Sequence, residues 1–149
     1  MFHVIDDEAM LREVTSAMLV DCGYDVLCFE SGEQYLAYLN SPNFTEPTAV
    51  LSDVTMPGIN GYDLALEIRK TLPFQKIILI TGNPDSEHHK KATQQICFTL
   101  NKPFHPEKFL AMIASVRSCQ QLHRTKQQQA YPQKCSIDSL FNCPFSCHD

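Results

Sequence analysis

Short apolar runs alternate with longer stretches of helical periodicity along the first 119 residues of this chain. Each run is too short for a helix and is bounded by turn-forming or charged residues, which is typical of buried strands. The predicted strands are 2–5, 25–29, 49–51, 76–80 and 97–100, and the predicted helices are 9–20, 31–39, 61–69, 85–95 and 107–119. This alternation predicts an α/β domain in which helices cover both faces of a parallel sheet. Ser31, with Gln34 three residues later, is the predicted cap of the second helix. The predicted inner face of the last helix consists of Phe109, Leu110, Met112, Ile113 and Val116.

Charged and polar side chains follow the ends of four predicted strands. Asp6 and Asp7 follow the first strand, Asp53 lies where the third strand stops, Thr81 follows the fourth, and Lys102 follows the fifth. Ligands of open α/β sheets bind outside the carboxyl ends of the strands, so we expect these side chains to share one site. Capping or turn formation explains any single acid here, but it does not explain a set drawn from four strands.

The residue types at this edge suit phosphoryl chemistry. Neighbouring carboxylates raise one another's pKa unless a cation neutralises them, and Mg²⁺ prefers oxygen ligands from carboxylates and phosphates. Asp53 would act as the nucleophile, because carboxylates form covalent aspartyl phosphates. Lys102 would pair with the phosphoryl group, and Thr81 would donate a hydrogen bond to it.

Four segments, in this order, resemble the receiver domain of two-component response regulators. They are Ile5-Asp6-Asp7-Glu8, Asp53-Val54-Thr55-Met56-Pro57-Gly58-Ile59-Asn60-Gly61, Thr81-Gly82 and Lys102-Pro103-Phe104. The resemblance implies a flavodoxin-like fold, a three-layer, doubly wound (βα)5 domain with a five-stranded parallel sheet in the order 2-1-3-4-5. This receiver domain would span residues 1–119, leaving a cysteine-containing tail over 120–149 that either extends the last helix or is disordered.

The resemblance also implies a role for each site residue. Asp53 matches the phosphoacceptor, and Thr81 and Lys102 match the residues that bind the phosphoryl group and switch the surface. The implied ligands of Mg²⁺, for which Mn²⁺ or Ca²⁺ can substitute, are Asp6, Asp7, Asp53 and the main-chain carbonyl of Thr55. The Lys102-Pro103 bond is a candidate cis peptide on the same grounds.

The partners implied by the resemblance are a sensor histidine kinase or phosphotransfer protein and a downstream protein effector. Phosphoryl acceptance would be self-catalysed, so we do not expect an enzyme, and the domain would be a monomer or a phosphorylation-dependent homodimer. The alternative is a receiver fold that no longer cycles phosphate and acts through its surface or tail. A phosphatase would need a second aspartate where Thr55 stands, and a flavodoxin would need a phosphate loop after the first strand.

Two positions depart from the family's pattern. Thr99 occupies the signal-output position, where the family usually has an aromatic residue, and Phe98 points the other way by strand alternation. Gln95-Ile96 stands where the family generally has Gly-Ala, so we expect a displaced or longer loop before the fifth strand. These departures leave the phosphorylation chemistry intact and concern the route by which the signal leaves.

Composition limits the remaining possibilities. The net charge is −5, with the acidic excess inside residues 1–119, and this disfavours direct contact with nucleic acid. The chain has neither a long apolar segment nor a secretory signal, so we expect a cytoplasmic protein with no membrane contact. Residues 120–149 are too few for a helix-turn-helix unit, so we expect either a stand-alone receiver or part of a longer protein.

The seven cysteines do not indicate a disulfide scaffold, because no secretory signal accompanies them. Cys28 and Cys97 fall within predicted strands, and we expect both in the core. The tail residues that could bind zinc are Cys135, Cys143, Cys147 and His148. Their spacing lacks a Cys-x-x-Cys pair, which disfavours a zinc site and favours a packing or unstructured tail over a metal or disulfide role.

Overall fold

In a computed structural model of the protein, residues 1–83, 87, 96 and 98–128 are described, with 119–128 described by their backbone alone. The strands are β1 (Phe2–Ile5), β2 (Val26–Phe29), β3 (Ala49–Asp53), β4 (Ile77–Thr81) and β5 (Phe98–Asn101). The helices are α1 (Ala9–Asp21), α2 (Gly32–Leu39), α3 (Gly61–Thr71) and α4 (Pro106–Gln128). Apart from residue 87, the helix predicted over 85–95 lies outside the described residues, as does the tail beyond 128.

The strands form one five-stranded sheet in the order β2-β1-β3-β4-β5, with every pair parallel. This confirms the predicted fold class and strand order. In the register, Asp53 pairs with Ile80, and Thr81 pairs with Asn101. The carboxyl ends of β3, β4 and β5 therefore lie nearly level, at the same edge of the sheet.

Two apolar layers cover the sheet, one on each face. Strand alternation divides the residues: Phe2 and Val4 of β1 enter one layer with α1 and α4, whereas Ile5 enters the other with α2 and α3. The inward residues of α4 are Phe109, Met112, Ile113 and Val116, which recur at helical spacing. Fully burying each large aliphatic or aromatic side chain contributes roughly 1.5–3 kcal/mol.

Helices α2 and α3 begin at side-chain caps. Ser31 Oγ accepts a hydrogen bond from the Gln34 main-chain N–H at 3.1 Å, as the sequence predicted. Asn60 Oδ1 accepts from the Asp63 N–H at 2.9 Å. Each cap satisfies a main-chain donor that the helix itself leaves unpaired, and such caps typically contribute about 1 kcal/mol.

A cluster of aromatic rings surrounds His3 beside α2. The rings of Phe29, Tyr35, Tyr38 and Phe44 lie 5.6 to 6.0 Å from the imidazole, centroid to centroid. His3 is fully buried, and its Nδ1 lies 3.1 Å from the Tyr35 hydroxyl. Burial lowers the pKa of His3 from 6.5 to about 4, with a further lowering by the positive N-terminus, so the imidazole is neutral near pH 7.

Two side chains predicted to be buried are exposed, and the last helix extends into the region predicted as a tail. Cys28 is exposed, because β2 is an edge strand that is covered less completely than the central strands. Leu110 is 41% exposed, since it follows the buried Phe109 by one position and points about 100° away around α4. Helix α4 continues past Cys119 to Gln128, so residues 120–128 extend the last helix, which was one of the two alternatives expected for the tail. Cys97 lies outside the described residues.

Among the described residues, no helix combines the length and the apolarity that crossing a bilayer requires.

Candidate functional site

Asp53 is the last residue of β3 and is 5% exposed. The main-chain N–H of the next residue, Val54, donates to the Ile80 carbonyl of β4 at 2.9 Å, which holds the strand end in place. Burial raises the pKa of the Asp53 carboxyl, and hydrogen bonding and charge attraction from Lys102 oppose this rise. The predicted phosphoacceptor therefore lies on a rigid strand end, facing a partner cation.

Three carboxylates converge at this edge of the sheet. Asp6, Asp7 and Asp53 each offer an oxygen, and these oxygens all lie within 4.8 Å of one another. Asp6 is buried, whereas Asp7 is exposed. Burial raises the pKa of Asp6, although the Glu8 N–H, which donates to Asp6 Oδ1 at 2.9 Å, and the charge of Lys102 lower it. The cluster therefore combines two buried carboxylates, Asp6 and Asp53, with the exposed carboxylate of Asp7.

Lys102 supplies the cation of the site. Its Nζ lies 3.0 Å from Asp53 Oδ1 and 3.8 Å from Asp6 Oδ2. The main chain at Lys102 is held in place, because the Lys102 N–H donates to the Thr81 carbonyl at 2.7 Å. The Lys102-Pro103 peptide bond is cis, as the resemblance implied.

The three threonines of the predicted site occupy different places. Thr81 is buried at the end of β4, and its Oγ1 accepts a hydrogen bond from the Asn83 N–H at 3.0 Å. Thr55 follows Asp53 by two residues, in an exposed part of the loop between β3 and α3. Thr99 is half-buried in the middle of β5, opposite Leu79, so it lies back from the strand ends where the acids converge.

Arg12 contacts the site and was not predicted to do so. Its Nη1 donates to the main-chain carbonyl of Asp6 at 2.6 Å, while Nη2 lies 3.5 Å from Glu30 Oε1. The side chain thus ties α1 to the end of β1 and to the segment after β2. One signal was present in the sequence, since Arg12 is the only arginine or lysine in the first 68 residues, which are otherwise acidic.

The acid cluster fits a small divalent cation. Opposing ligands around Mg²⁺ are separated by about 4 Å, twice the ~2.1 Å metal–oxygen distance, so oxygens within 4.8 Å need little adjustment. Burial raises the pKa values of Asp6 and Asp53, so the neighbouring donors and Lys102 do not fully offset the cost of burying these two carboxylates in their ionised form. A bound cation would offset that cost. The donor set is entirely oxygen, which favours Mg²⁺ over metals that prefer thiolate or imidazole.

Comparisons with known proteins agree with this geometry. NtrC of Salmonella typhimurium, a DNA-binding transcriptional regulator, is 33% identical over 127 residues, which cover 85% of this chain and 26% of NtrC. The chain therefore spans about a quarter of the length of the first curated relative. Among solved structures, the chemotaxis protein CheY4 of Vibrio cholerae has a TM-score of 0.68 at 28% identity, covering 77% of this chain and 96% of CheY4. The response regulator TrrA of Thermotoga maritima has a TM-score of 0.66 at 30% identity, covering 77% and 96%.

Residues 2–114 match the family described as the response regulator receiver domain. The match includes all of β1 to β5 and residues 106–114 of α4, together with the acid cluster, Thr81 and Lys102. The chain therefore belongs to the response regulator receiver domain family.

Proposed function

We propose that this domain accepts a phosphoryl group on Asp53 from a sensor histidine kinase or a phosphotransfer protein, with Mg²⁺ bound beside it. One observation carries the proposal. The carboxylates of Asp6, Asp7 and Asp53 lie within 4.8 Å of one another, and the ammonium group of Lys102 lies 3.0 Å from Asp53. The groups that a nucleophile, a metal site and a phosphoryl-binding cation require therefore lie together at one sheet edge.

The transfer step follows from these groups. A carboxylate oxygen of Asp53 attacks the phosphorus of the donor phosphohistidine, the new O–P bond forms, and the P–N bond breaks with its electron pair remaining on the imidazole nitrogen. Mg²⁺, held by Asp6, Asp7, Asp53 and the Thr55 carbonyl, would neutralise charge on the phosphoryl oxygens. Asp53 needs no proton acceptor, because its ionised form is the nucleophile and Lys102 favours that form.

Lys102 and Thr81 would bind the phosphoryl group once it is on Asp53. The ammonium group is a compact charge on a flexible stem, so it can move from the Asp53 carboxylate to a phosphoryl oxygen. The Thr81 hydroxyl already accepts a hydrogen bond from Asn83, which leaves its own hydrogen for donation. Movement of Thr81 toward the phosphoryl group would shift the segment after β4, and this shift would alter the protein's contacts.

The proposed role is signalling rather than turnover of a separate substrate. In this proposal, the acid cluster serves only the domain's own phosphorylation and slow dephosphorylation. That the chain is not an enzyme is part of the same proposal. TrrA has been solved in complex with Mg²⁺-BeF, which supports a Mg²⁺ site in the present domain. NtrC is named as a DNA-binding regulator, which supports an effector of that kind either on the same polypeptide or on a partner.

The oligomeric state and the cytoplasmic location expected from the sequence stay predictions. The signal-output position on β5 is occupied by Thr99 and not by an aromatic residue. This supports a change of surface on phosphorylation that does not depend on movement of an aromatic side chain at that position.

Incubation with acetyl phosphate and Mg²⁺, followed by intact-mass spectrometry, tests the proposal. We expect one added phosphoryl group on the wild-type protein and on Asp25→Asn, whose exposed acid precedes β2 at the opposite edge of the sheet. Asp53→Asn is expected to remain unmodified. An unchanged mass for the wild-type protein, or equal labelling of Asp53→Asn, would overturn the proposal in favour of a receiver fold that acts by binding alone.

A further inference from the structure

The first turn of α2 contacts residues 54–60, which connect β3 to α3 and are called the β3–α3 loop below. Glu33 Oε1 accepts a hydrogen bond from the main-chain N–H of Ile59 at 2.7 Å. The two residues are 26 positions apart, so this bond joins separate parts of the fold. A carboxylate that accepts from a main-chain N–H makes a stronger hydrogen bond than a neutral acceptor does.

Two glycines make room for this contact. Gly58 has a φ of 76°, in the region that favours glycine, and a Cβ built there would collide with the carboxylate of Glu33. A Cβ built on Gly32, the residue before Glu33, would collide with the side chain of Ile59. The backbone of the β3–α3 loop and the start of α2 are therefore shaped to meet at this point.

The hydrogen bond from Ile59 also favours the ionised form of Glu33. The Ile59 N–H lowers the pKa of Glu33, with a smaller lowering by the N–H of Glu33 itself. Glu33 is thus ionised near pH 7, although its side chain is exposed and makes no ion pair among those found in the described residues.

The same loop is anchored at its other end beside the phosphoacceptor. The Val54 N–H donates to the Ile80 carbonyl, and the Val54 carbonyl accepts from the Gly61 N–H, both at 2.9 Å. Thr55, whose main-chain carbonyl is the proposed fourth protein ligand of Mg²⁺, lies between this anchor and Ile59. The path of the loop, and hence the direction of that carbonyl, depends on both attachments.

We propose that Glu33 is a positioning residue for the metal site, acting through its hydrogen bond to Ile59 on the β3–α3 loop. This inference rests on the proposed function, because it assumes that Thr55 contributes to metal binding. Glu33 touches neither the metal nor the phosphoryl group. It holds the loop in the conformation that binds the cation, so that metal binding does not have to order the loop.

Binding of Mn²⁺, measured by the electron paramagnetic resonance signal of the free ion, tests this role. Glu33→Ala removes the acceptor, and we expect Mn²⁺ affinity to fall about threefold to tenfold, the effect of losing one hydrogen bond of this kind. Glu33→Gln keeps an oxygen that can accept from Ile59 and should restore most of the affinity. Glu46→Ala also removes one exposed negative charge, but it precedes β3 at the opposite edge and should leave the affinity unchanged.

The amide resonance of Ile59 supplies a second readout. Loss of the charge-assisted hydrogen bond should move its proton shift upfield in Glu33→Ala and less so in Glu33→Gln. If Glu33→Ala does not fold, Glu33→Asp replaces it, because a side chain shorter by one methylene cannot span the same distance. The expected order of Mn²⁺ affinity, from the tightest to the weakest, is then wild type, Glu33→Gln and Glu33→Asp.

Equal Mn²⁺ affinity of the wild-type protein and the variant without the acceptor would overturn the inference. An equal weakening in Glu46→Ala and Glu33→Ala would do so as well, since it would indicate a general charge effect. In either case, a wild-type protein that binds Mn²⁺ and accepts the phosphoryl group leaves the proposed function standing. A wild-type protein that does neither overturns both.

Discussion

Gly61, the first residue of α3, packs directly against the main-chain carbonyl of Asp53. A Cβ built on Gly61 would lie 2.5 Å from the Asp53 oxygen and 2.9 Å from the Cα of Val54. Both are backbone atoms that cannot rotate away, so the absence of a side chain here lets the helix begin directly against the proposed phosphoacceptor.

The variant Gly61→Ala should therefore be impaired in both stability and phosphorylation. Its Cβ can be accommodated only if α3 or the end of β3 moves, and overpacking of this kind typically costs about 1–3 kcal/mol. Urea denaturation and the rate of acetyl phosphate labelling measure the two effects. Gly82→Ala is the comparison for stability, because a Cβ there has no atom within 4 Å. Wild-type stability and labelling in Gly61→Ala would contradict the close packing.

Removing the charge of Lys102 should tighten metal binding while impairing phosphorylation. Its ammonium group competes with Mg²⁺ for Asp53, so Lys102→Met should bind Mg²⁺ on the order of tenfold more tightly. The same variant lacks the partner for the phosphoryl oxygens, and labelling should slow by roughly tenfold or more. Isothermal titration calorimetry and mass spectrometry measure the two effects.

The matched control for this prediction is Lys70→Met. Lys70 lies in the last turn of α3, at the opposite edge of the sheet, where it pairs with Glu67. Lys70→Met removes the same charge, but it should change neither the Mg²⁺ affinity nor the labelling rate. Weaker Mg²⁺ binding in Lys102→Met would show that the lysine organises the acids rather than competing for them.

Asp53→Asn should stabilise the protein when no metal is present. Burial raises the pKa of Asp53 above its ordinary 3.8, so the folded state binds the proton more tightly than the unfolded chain does. The wild-type free energy of unfolding must then fall as the pH rises from 3.8 through the folded-state pKa. Asparagine has no such dependence. With EDTA near pH 7, urea denaturation should find Asp53→Asn the more stable protein, and saturating Mg²⁺ should reduce or reverse the difference. A less stable Asp53→Asn in EDTA would contradict this.

The aromatic cluster around His3 should make the protein sensitive to mild acid. The pKa of His3 is about 4 when folded and near 6.5 when unfolded, so its stabilising contribution is complete above pH 6.5 and is lost as the pH falls toward 4. At pH 5 the loss should be about 2 kcal/mol. His3→Phe, which suits the aromatic surroundings, should lose much less stability between pH 7 and pH 5. Equal pH dependence of the two proteins, measured by thermal unfolding, would show that another group is responsible.

Residues placed by the strands themselves were predictable from the sequence. Asp53 and Lys102 follow strands that apolar runs and turn residues define, and parallel strands bring their carboxyl ends to one edge. The family resemblance supplied the strand order, which hydrophobic periodicity alone does not contain. That order already placed β2 at the edge, so the error at Cys28 came from assigning a strand cysteine to the core without regard to the position of its strand.

Contacts that depend on side-chain direction were not predictable in the same way. Arg12 reaches the Asp6 carbonyl because of the angle at which α1 leaves β1, and Glu33 meets Ile59 only after α2 and the β3–α3 loop have packed together. Neither angle follows from residue spacing along the chain. Leu110 was placed inward because it is apolar, although helical geometry allows only one of the adjacent pair Phe109 and Leu110 to face the core fully.

The acid cluster and Lys102 together have a simple charge inventory. Three ionised carboxylates and one ammonium group leave two negative charges, the same magnitude as the charge of a single Mg²⁺ ion. A bound cation would therefore bring these four groups to neutrality, and a phosphoryl group arriving on Asp53 would disturb that balance again by roughly one negative charge. Each state of the domain would differ from the next by a small, local change of charge, which is what allows a single covalent modification to be read as a signal.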